Sequence, residues 1–280
     1  MTVLVFGARG YLGGAVKALY PGALAPSVDI ADSAAVCAAL DQYKPDVVIN
    51  AAGKTGRPNV DWCEDHKLET LSSNTLGPLV LLKACAERSI YWVHFGSGCI
   101  YAGDNGGAGF TEEDTPNFMG STYSRTKSWA DGALREFAQD PSHPGGILLL
   151  RLRMPFEGTK SPRNLLTKIS GYARVLDTPN SLTYLPDFFR ALSILVEKRA
   201  KGVFNAVNPG PISPYAIMER YREIVAPSHQ FERLTLGDLP QVARAVRSNC
   251  VLNSSKIQRE TGNVFRTGEE AVEEALEMLR

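Results

Sequence analysis

Tyr123 and Lys127 stand four residues apart in Tyr123-Ser124-Arg125-Thr126-Lys127, a spacing that puts both side chains on one face of a helix. A phenol with a pKa near ~10 exchanges protons poorly at neutral pH. A neighbouring ammonium favours the phenolate and lowers that pKa, so the pair can give a proton to an alkoxide as it forms. A second group of residues, Gly7-Ala8-Arg9-Gly10-Tyr11-Leu12-Gly13, follows an apolar run at the start of the chain. Glycines there let the backbone turn tightly and approach a pyrophosphate, and a helix beginning behind them supplies N–H groups and partial positive charge. Dinucleotide binding is the expectation. Arg9 lies inside this loop, where a guanidinium can meet a 2′-phosphate. No acidic residue clearly ends a second strand to hold a ribose 2′-hydroxyl. NADP(H) is therefore favoured, and NAD(H) stays open.

These residues need a scaffold, and the first half of the chain alternates strand and helix signals. Val3–Phe6, Val47–Ile49, Ile90–Phe95 and Ile147–Leu152 read as short buried strands. Helices are expected over Gly13–Tyr20, over a segment capped by Asp32 or Ser33, over Leu68–Arg88, and over Tyr123–Phe137 with Trp129, Leu134 and Phe137 as its apolar marks. Apolar strands alternating with helices imply an α/β fold, a Rossmann-type doubly wound parallel sheet. Beyond Pro155 the elements shorten and prolines multiply. The expected layout is a dinucleotide-binding domain over 1–155 and, over 156–280, a smaller carboxy-terminal substrate-binding lobe from which a strand at 203–207 returns to the main sheet. Helices near Tyr215–Val225 and Glu269–Leu279 close the chain.

Composition narrows the class. The 280 residues carry 30 Lys+Arg against 30 Asp+Glu, which gives no basic surplus for gripping nucleic acid or an anionic membrane. Hydrophobic residues make up 44% and charged residues 21%, the balance of a packed globule. No apolar stretch approaches the ~18 residues of a transmembrane span, and Thr2–Phe6 has no basic start of the signal-peptide kind. The five cysteines are odd in number and form no CxxC pair, as expected of reduced thiols in a cytoplasmic enzyme. The four histidines lack metal-ligand spacing, so no metal site is expected.

The spacing GxxGxxG with YxxxK resembles the extended branch of the short-chain dehydrogenase/reductase superfamily. That resemblance adds Ser97 as a third proton-transfer residue, and Asn50-Ala51-Ala52-Gly53 as the strand end that packs against the cofactor with Gly7, Arg9, Gly10, Tyr11, Leu12 and Gly13. Lys127 is implied as a contact to the nicotinamide ribose, and Asn74 as a structural helical Asn. A closer resemblance is carried by Gly56-Arg57-Pro58-Asn59-Val60-Asp61-Trp62-Cys63-Glu64, Gly98-Cys99-Ile100, Glu112-Glu113-Asp114, Pro116-Asn117-Phe118 and Arg151-Leu152-Arg153-Met154-Pro155. It continues through Pro162-Arg163-Asn164-Leu165-Leu166-Thr167-Lys168-Ile169-Ser170, Pro179-Asn180-Ser181 and Arg247-Ser248-Asn249. Over nearly the whole chain the sequence is similar to the rhamnose-forming UDP-4-keto-6-deoxy-glucose 3,5-epimerase/4-reductases, and less closely to dTDP-4-dehydrorhamnose reductase.

The resemblance implies a nucleotide-sugar substrate, UDP-linked by preference with dTDP open. It implies 3,5-epimerisation followed by reduction at C4 to an NDP-β-L-rhamnose. Cys99 stands where reductase-only relatives carry Tyr, and with Lys168 it is the implied pair of epimerase proton carriers. Lys168, an ammonium at neutral pH, is the easier initial acid and Cys99 the readier base; the assignment stays open. Asn59, Asp61, Trp62, Arg163, Asn164, Arg247 and Asn249 are the implied substrate contacts, an arginine fork being suited to a diphosphate. A 4-reductase dependent on a separate epimerase, or a non-catalytic dinucleotide-binding regulatory subunit, are the alternatives. The long helices leave a homodimer open.

Overall fold

The computed structural model describes residues 1–138, 140 and 143–280. Its backbone is a parallel-strand Rossmann-like α/β fold, and the chain divides into two compact units. The first comprises Met1–Ile100, Phe118–Arg151 and Val196–Phe204; the second comprises Tyr101–Asn117, Leu152–Leu195 and Asn205–Arg280. The chain passes from the first unit to the second at 151–152, and 101–117 and 196–204 each belong to the unit opposite to their neighbours in sequence.

In the first unit, β1 (Val3–Phe6) leads through the glycine loop into α1 (Tyr11–Leu19), which begins two residues earlier than its apolar pattern suggested. α2 (Ser33–Tyr43) is capped by Asp32, whose carboxylate accepts the Ala35 N–H. β2 (Val47–Asn50) pairs parallel to β1, with Val3 opposite Val47 and Phe6 opposite Asn50. The segment expected as one helix over Leu68–Arg88 is a compound. After the short α3 (Trp62–Asp65) come α4 (Lys67–Leu71), a π turn over Ser72–Leu76, and α5 (Gly77–Ala86). β3 (Tyr91–Ser97) pairs parallel to β2. α6 (Thr122–Phe137) and β4 (Ile147–Leu152) follow, and the sheet runs β1-β2-β3-β4-β8, where β8 is Gly202–Asn205.

On the other side of β1 the sheet holds a single bridge, Leu4 to Leu24. Leu24 donates its N–H to Val3 O at 2.9 Å and accepts from Val5 N at 2.8 Å. Pro26 two residues on cannot donate to a ladder, and the second strand is this one residue pair.

Core packing follows the strands. Leu4, Phe6, Val48, Trp92, Ile147 and Leu149 meet Val36, Leu40, Leu81, Cys85 and Leu134 from the helices. Trp129 and Phe137 are corrections to the expected core: they are 49% and 40% exposed, and Leu134 alone of the three marks is buried. Arg151 and Asp131 form a fully buried ion pair, with Nη2 to Oδ1 at 2.7 Å and Nε to Oδ2 at 2.8 Å, tying β4 to α6.

In the second unit, β5 (Pro155–Phe156) lies parallel to β7 (Asn180–Tyr184), which lies antiparallel to β9 (Asn208–Ile212). Arg174–Leu176 (β6) pairs with Glu232–Leu234. α7 (Leu165–Ile169), α9 (Pro214–Ile224) and α11 (Gly268–Glu277) pack Leu166, Ile217, Met218, Ala271 and Leu276 onto Phe156, Leu182 and Tyr184. α11 opens on a capping box of Thr267 and Glu270. The helix α8 (Leu185–Glu197) carries the chain from this unit back to the first. No helix among the described residues is long and apolar enough to cross a membrane.

Candidate active site

The glycine loop is packed so tightly that side chains are excluded. Gly7 has φ +79°, and a Cβ there would fall 2.5 Å from Ala52 N; one on Gly13 would fall 2.2 Å from Gly7 O. The Gly10 N–H closes the turn onto Gly7 O at 2.9 Å. Gly10 is the N-cap of α1 and brings no side chain, and no acidic residue lies in the first turn. Such a helix end accepts an anion. Asn50 shapes the facing wall: its Oδ1 accepts Ala52 N–H at 3.0 Å. The Asn50 amide then donates to His94 Nδ1 at 3.0 Å. Burial holds His94 well below the ordinary histidine range, and the nearby Lys127 adds to that effect.

Beside the loop runs a groove of about 580 Å³ lined by Arg9, Ser27, Val28, Asp29, Lys54 and Leu68, among others. The tight glycine cradle and this groove fit a dinucleotide. Asp29 is a residue the sequence reading passed over. It lies sixteen positions after Gly13, close to the spacing at which an acid meets a ribose, but one bridged residue at Leu24 left no strand end to mark it. Arg9 and Asp29 thus line one groove, with opposite preferences for a 2′-phosphate.

The residues expected to transfer protons lie at the end of β3 and the start of α6. Ser97 ends the strand, and its Oγ accepts the Cys99 N–H at 3.1 Å. Ser121 caps α6, accepting from Ser124 N at 3.1 Å. Tyr123 and Lys127 are both buried on this helix. The Lys127 ammonium donates to Phe95 O at 3.3 Å. Burial pushes its pKa down to about 8, against the opposite pull of Cys99 and Asp131. A Cβ on Gly53 would lie 3.5 Å from Lys127 Nζ and 3.3 Å from Asn74 Oδ1. Asn74, in the π turn, accepts from Lys54 N at 2.8 Å and donates to Lys54 O at 2.9 Å, so it fixes the backbone beyond Gly53. Ser97, Cys99, Tyr123 and Lys127 therefore share one unit with the glycine loop.

The 56–65 loop also belongs to that unit. Asn59 Oδ1 accepts Asp61 N at 2.8 Å, shaping the turn into α3. Trp62 stacks on His66 at 3.8 Å, with Lys54 Nζ 5.3 Å from its ring centroid.

Lys168, Arg163, Asn164, Arg247 and Asn249 belong to the second unit. Lys168 is half-buried on α7, and burial, helped by Arg163, lowers its pKa. Asn164 is fully buried and spent on its own loop: it donates to Glu157 O at 2.7 Å and Thr159 O at 2.6 Å, and caps α7 through Leu166 N. Asn249 Oδ1 accepts from Asn180 at 3.1 Å. Arg247 donates to Ala245 O at 2.9 Å. Among the described residues no three His, Cys, Asp or Glu side chains gather as a metal would need.

Comparison with known proteins supplies kinship. The family described as "RmlD substrate binding domain" matches residues 1–280. A bifunctional dTDP-4-dehydrorhamnose 3,5-epimerase/dTDP-4-dehydrorhamnose reductase of Arabidopsis thaliana is 37% identical over 267 residues, covering 92% of this chain and 86% of that protein. A trifunctional UDP-glucose 4,6-dehydratase/UDP-4-keto-6-deoxy-D-glucose 3,5-epimerase/UDP-4-keto-L-rhamnose-reductase of the same plant is 37% identical over 275 residues, and the chain spans 39% of its length. The crystal structure of a UDP-rhamnose synthase from Acanthamoeba polyphaga mimivirus superposes with a TM-score of 0.92 at 30% identity, covering 99% of both chains.

Proposed function

The chain belongs to the RmlD substrate binding domain family and is an enzyme of the NAD(P)-dependent reductase type, and from that premise we propose that it is a bifunctional 3,5-epimerase/4-reductase forming an NDP-β-L-rhamnose. The observation that carries this reading is the cluster at the end of β3: Cys99, its N–H held by the Ser97 hydroxyl, in the unit that also buries the Lys127 ammonium.

A ketone at C4 acidifies the protons on C3 and C5. Tyr123 and Ser97 are the donors for the enolate oxygen that forms when one is removed. Inversion needs a base and an acid, and Cys99 and Lys168 are the two proton carriers in this reading. Burial of Lys168 brings its pKa down toward the range where an amine exchanges protons. A nicotinamide dinucleotide held at the glycine loop of Gly7, Gly10 and Gly13 would supply the hydride to C4. Tyr123 gives its phenolic proton to the resulting alkoxide, and Lys127 holds the phenolate left behind. Gly7, Gly10 and the first turn of α1 bind the pyrophosphate, and Arg9 favours NADP(H). Asn59, Asp61, Trp62, Arg163, Arg247 and Asn249 are the proposed nucleotide-sugar contacts. Asn164 acts by shaping the loop that carries Lys168. UDP is the preferred nucleotide because the sequence signatures and the mimivirus relative's name point the same way.

The test is turnover of UDP-4-keto-6-deoxy-glucose with NADPH in deuterated water. Deuterium at C3 and C5 of a rhamnose product is expected. Cys99→Ser should lose that exchange yet still reduce a substrate epimerised beforehand. Product without solvent label would leave a 4-reductase alone.

A further inference from the structure

Glu64 has no part in the chemistry above, yet it ties the 56–65 loop to the helix that carries Tyr123. It lies in α3, and its side chain keeps 20% of its exposure. One carboxylate oxygen accepts the Thr122 backbone N–H at 2.7 Å, and the other accepts the Thr122 hydroxyl at 2.9 Å. Thr122 is the first residue of α6 and the immediate neighbour of Tyr123. Arg125 completes the knot: it donates to Thr122 Oγ1 at 2.9 Å and to Met119 O at 3.0 Å, and lies 3.8 Å from the Glu64 carboxylate. On the other flank Ser121 holds Ser124. The residues on either side of Tyr123 therefore have separate anchors.

Ser121 already caps α6, so a carboxylate reaching its first turn from 58 residues away is more than a cap. A charge-assisted pair of bonds at a helix N-terminus fixes position as well as adding stability. The loop that delivers Glu64 is itself closely packed. Gly56 has φ +72°, and a Cβ there would fall 2.6 Å from the Trp62 Cβ. Trp62 in turn lies flat on His66 at an interplanar angle of 7°.

We propose that Glu64 is a positioning residue for Tyr123, holding the first turn of α6 against the 56–65 loop so that the phenol meets the C4 oxygen in one fixed geometry. This rests on the reading of Tyr123 as the proton donor. Misplacing a reacting group by an ångström costs on the order of 10²-fold in rate, and the effect belongs in turnover rather than in binding.

The experiment measures kcat and KM for NADPH oxidation with UDP-4-keto-6-deoxy-glucose, a separate 3,5-epimerase being added so that reduction alone is read. The variants are Glu64→Ala, Glu64→Gln, Glu64→Asp, Tyr123→Phe and the double variant Glu64→Ala/Tyr123→Phe. Glu64→Ala should lower kcat by roughly 30-fold while each KM moves less than about 3-fold. Glu64→Gln keeps an acceptor for the Thr122 N–H and an amide for its hydroxyl, and should recover kcat to within about 3-fold of the parent. Glu64→Asp, one methylene short, should not. In the Tyr123→Phe background, Glu64→Ala should cost nothing more, because a residue acting through Tyr123 has nothing left to position.

An unchanged kcat, a loss confined to KM, or a full multiplicative loss in the double variant overturns the proposal. If Glu64→Ala fails to fold, the Gln and Asp variants decide: equal kcat in the two overturns it. A Tyr123→Phe variant with the parent's kcat would instead remove the reading of Tyr123 beneath it.

Discussion

Lys127 is the residue whose environment makes the sharpest demand on the chemistry. Its ammonium is buried and donates to Phe95 O, and burial pushes its pKa down to about 8. The charged form dominates below that pH, and in the proposed reaction it is the form that holds a phenolate at Tyr123. Reductase kcat/KM should therefore be level through neutral pH and fall as pH rises through about 8. Lys127→Met should lower activity and erase that limb. A limb near the ordinary lysine range would contradict the burial argument.

Single residues were unevenly legible in the sequence. Tyr123, Lys127 and the glycines announce themselves by spacing, because their chemistry depends on spacing along one element. Asp29 was missed because its strand is one bridged residue long. Asn164 is a substrate contact by resemblance alone, and the sequence gives no sign that its amide donates to Glu157 O and Thr159 O in its own loop. Glu64 was visible only as a letter in a motif, since its partner lies 58 positions away.

At the scale of elements, hydrophobic type predicted strands better than helices. A buried parallel strand has both faces covered, so every residue of Val47–Ile49, and every residue of Ile147–Leu152 but Arg151, is apolar and its place is unambiguous. A helix has an outer face, and α6 shows Trp129 and Phe137 on it. Leu134→Ala should cost about 2–5 kcal/mol, as expected for a buried leucine, while Trp129→Ser should change stability by less than about 0.5 kcal/mol. Denaturant melts of the two variants check this; a large loss at Trp129 would mean that something covers that face. The buried Arg151–Asp131 pair was equally hidden, because a charged letter inside an apolar run gives no sign of its partner.

For the whole molecule, the distribution of protons sets the response to acid. His94 and His143 are buried, and burial lowers both pKa values. The unfolded chain takes up protons at these histidines as pH falls through about 6.5, and the folded chain does not. Each histidine's contribution is thus fully present above about pH 6.5 and is lost below it, by up to about 1.4 kcal/mol per pH unit until its folded pKa is reached. The melting temperature should fall between pH 7.5 and pH 5.5, and His94→Asn should flatten part of that slope. A melting temperature independent of pH over this range would show that the two imidazoles protonate in place.

The π turn at Ser72–Leu76 gives one continuous rod two orientations. Each residue of an α-helix advances about 100° around the axis, and a π turn inserts roughly one surplus residue. Everything after Leu76 is rotated by that step, so Leu81, Ala84 and Cys85 face the core while Leu68 and Glu69 look onto the groove. Excising one residue within the turn, Ser73 for instance, would remove that surplus and close the rod as ordinary α-helix with both ends still in phase, whereas excising one from the α-helical stretch on either side would put either the core face or the groove face out of step.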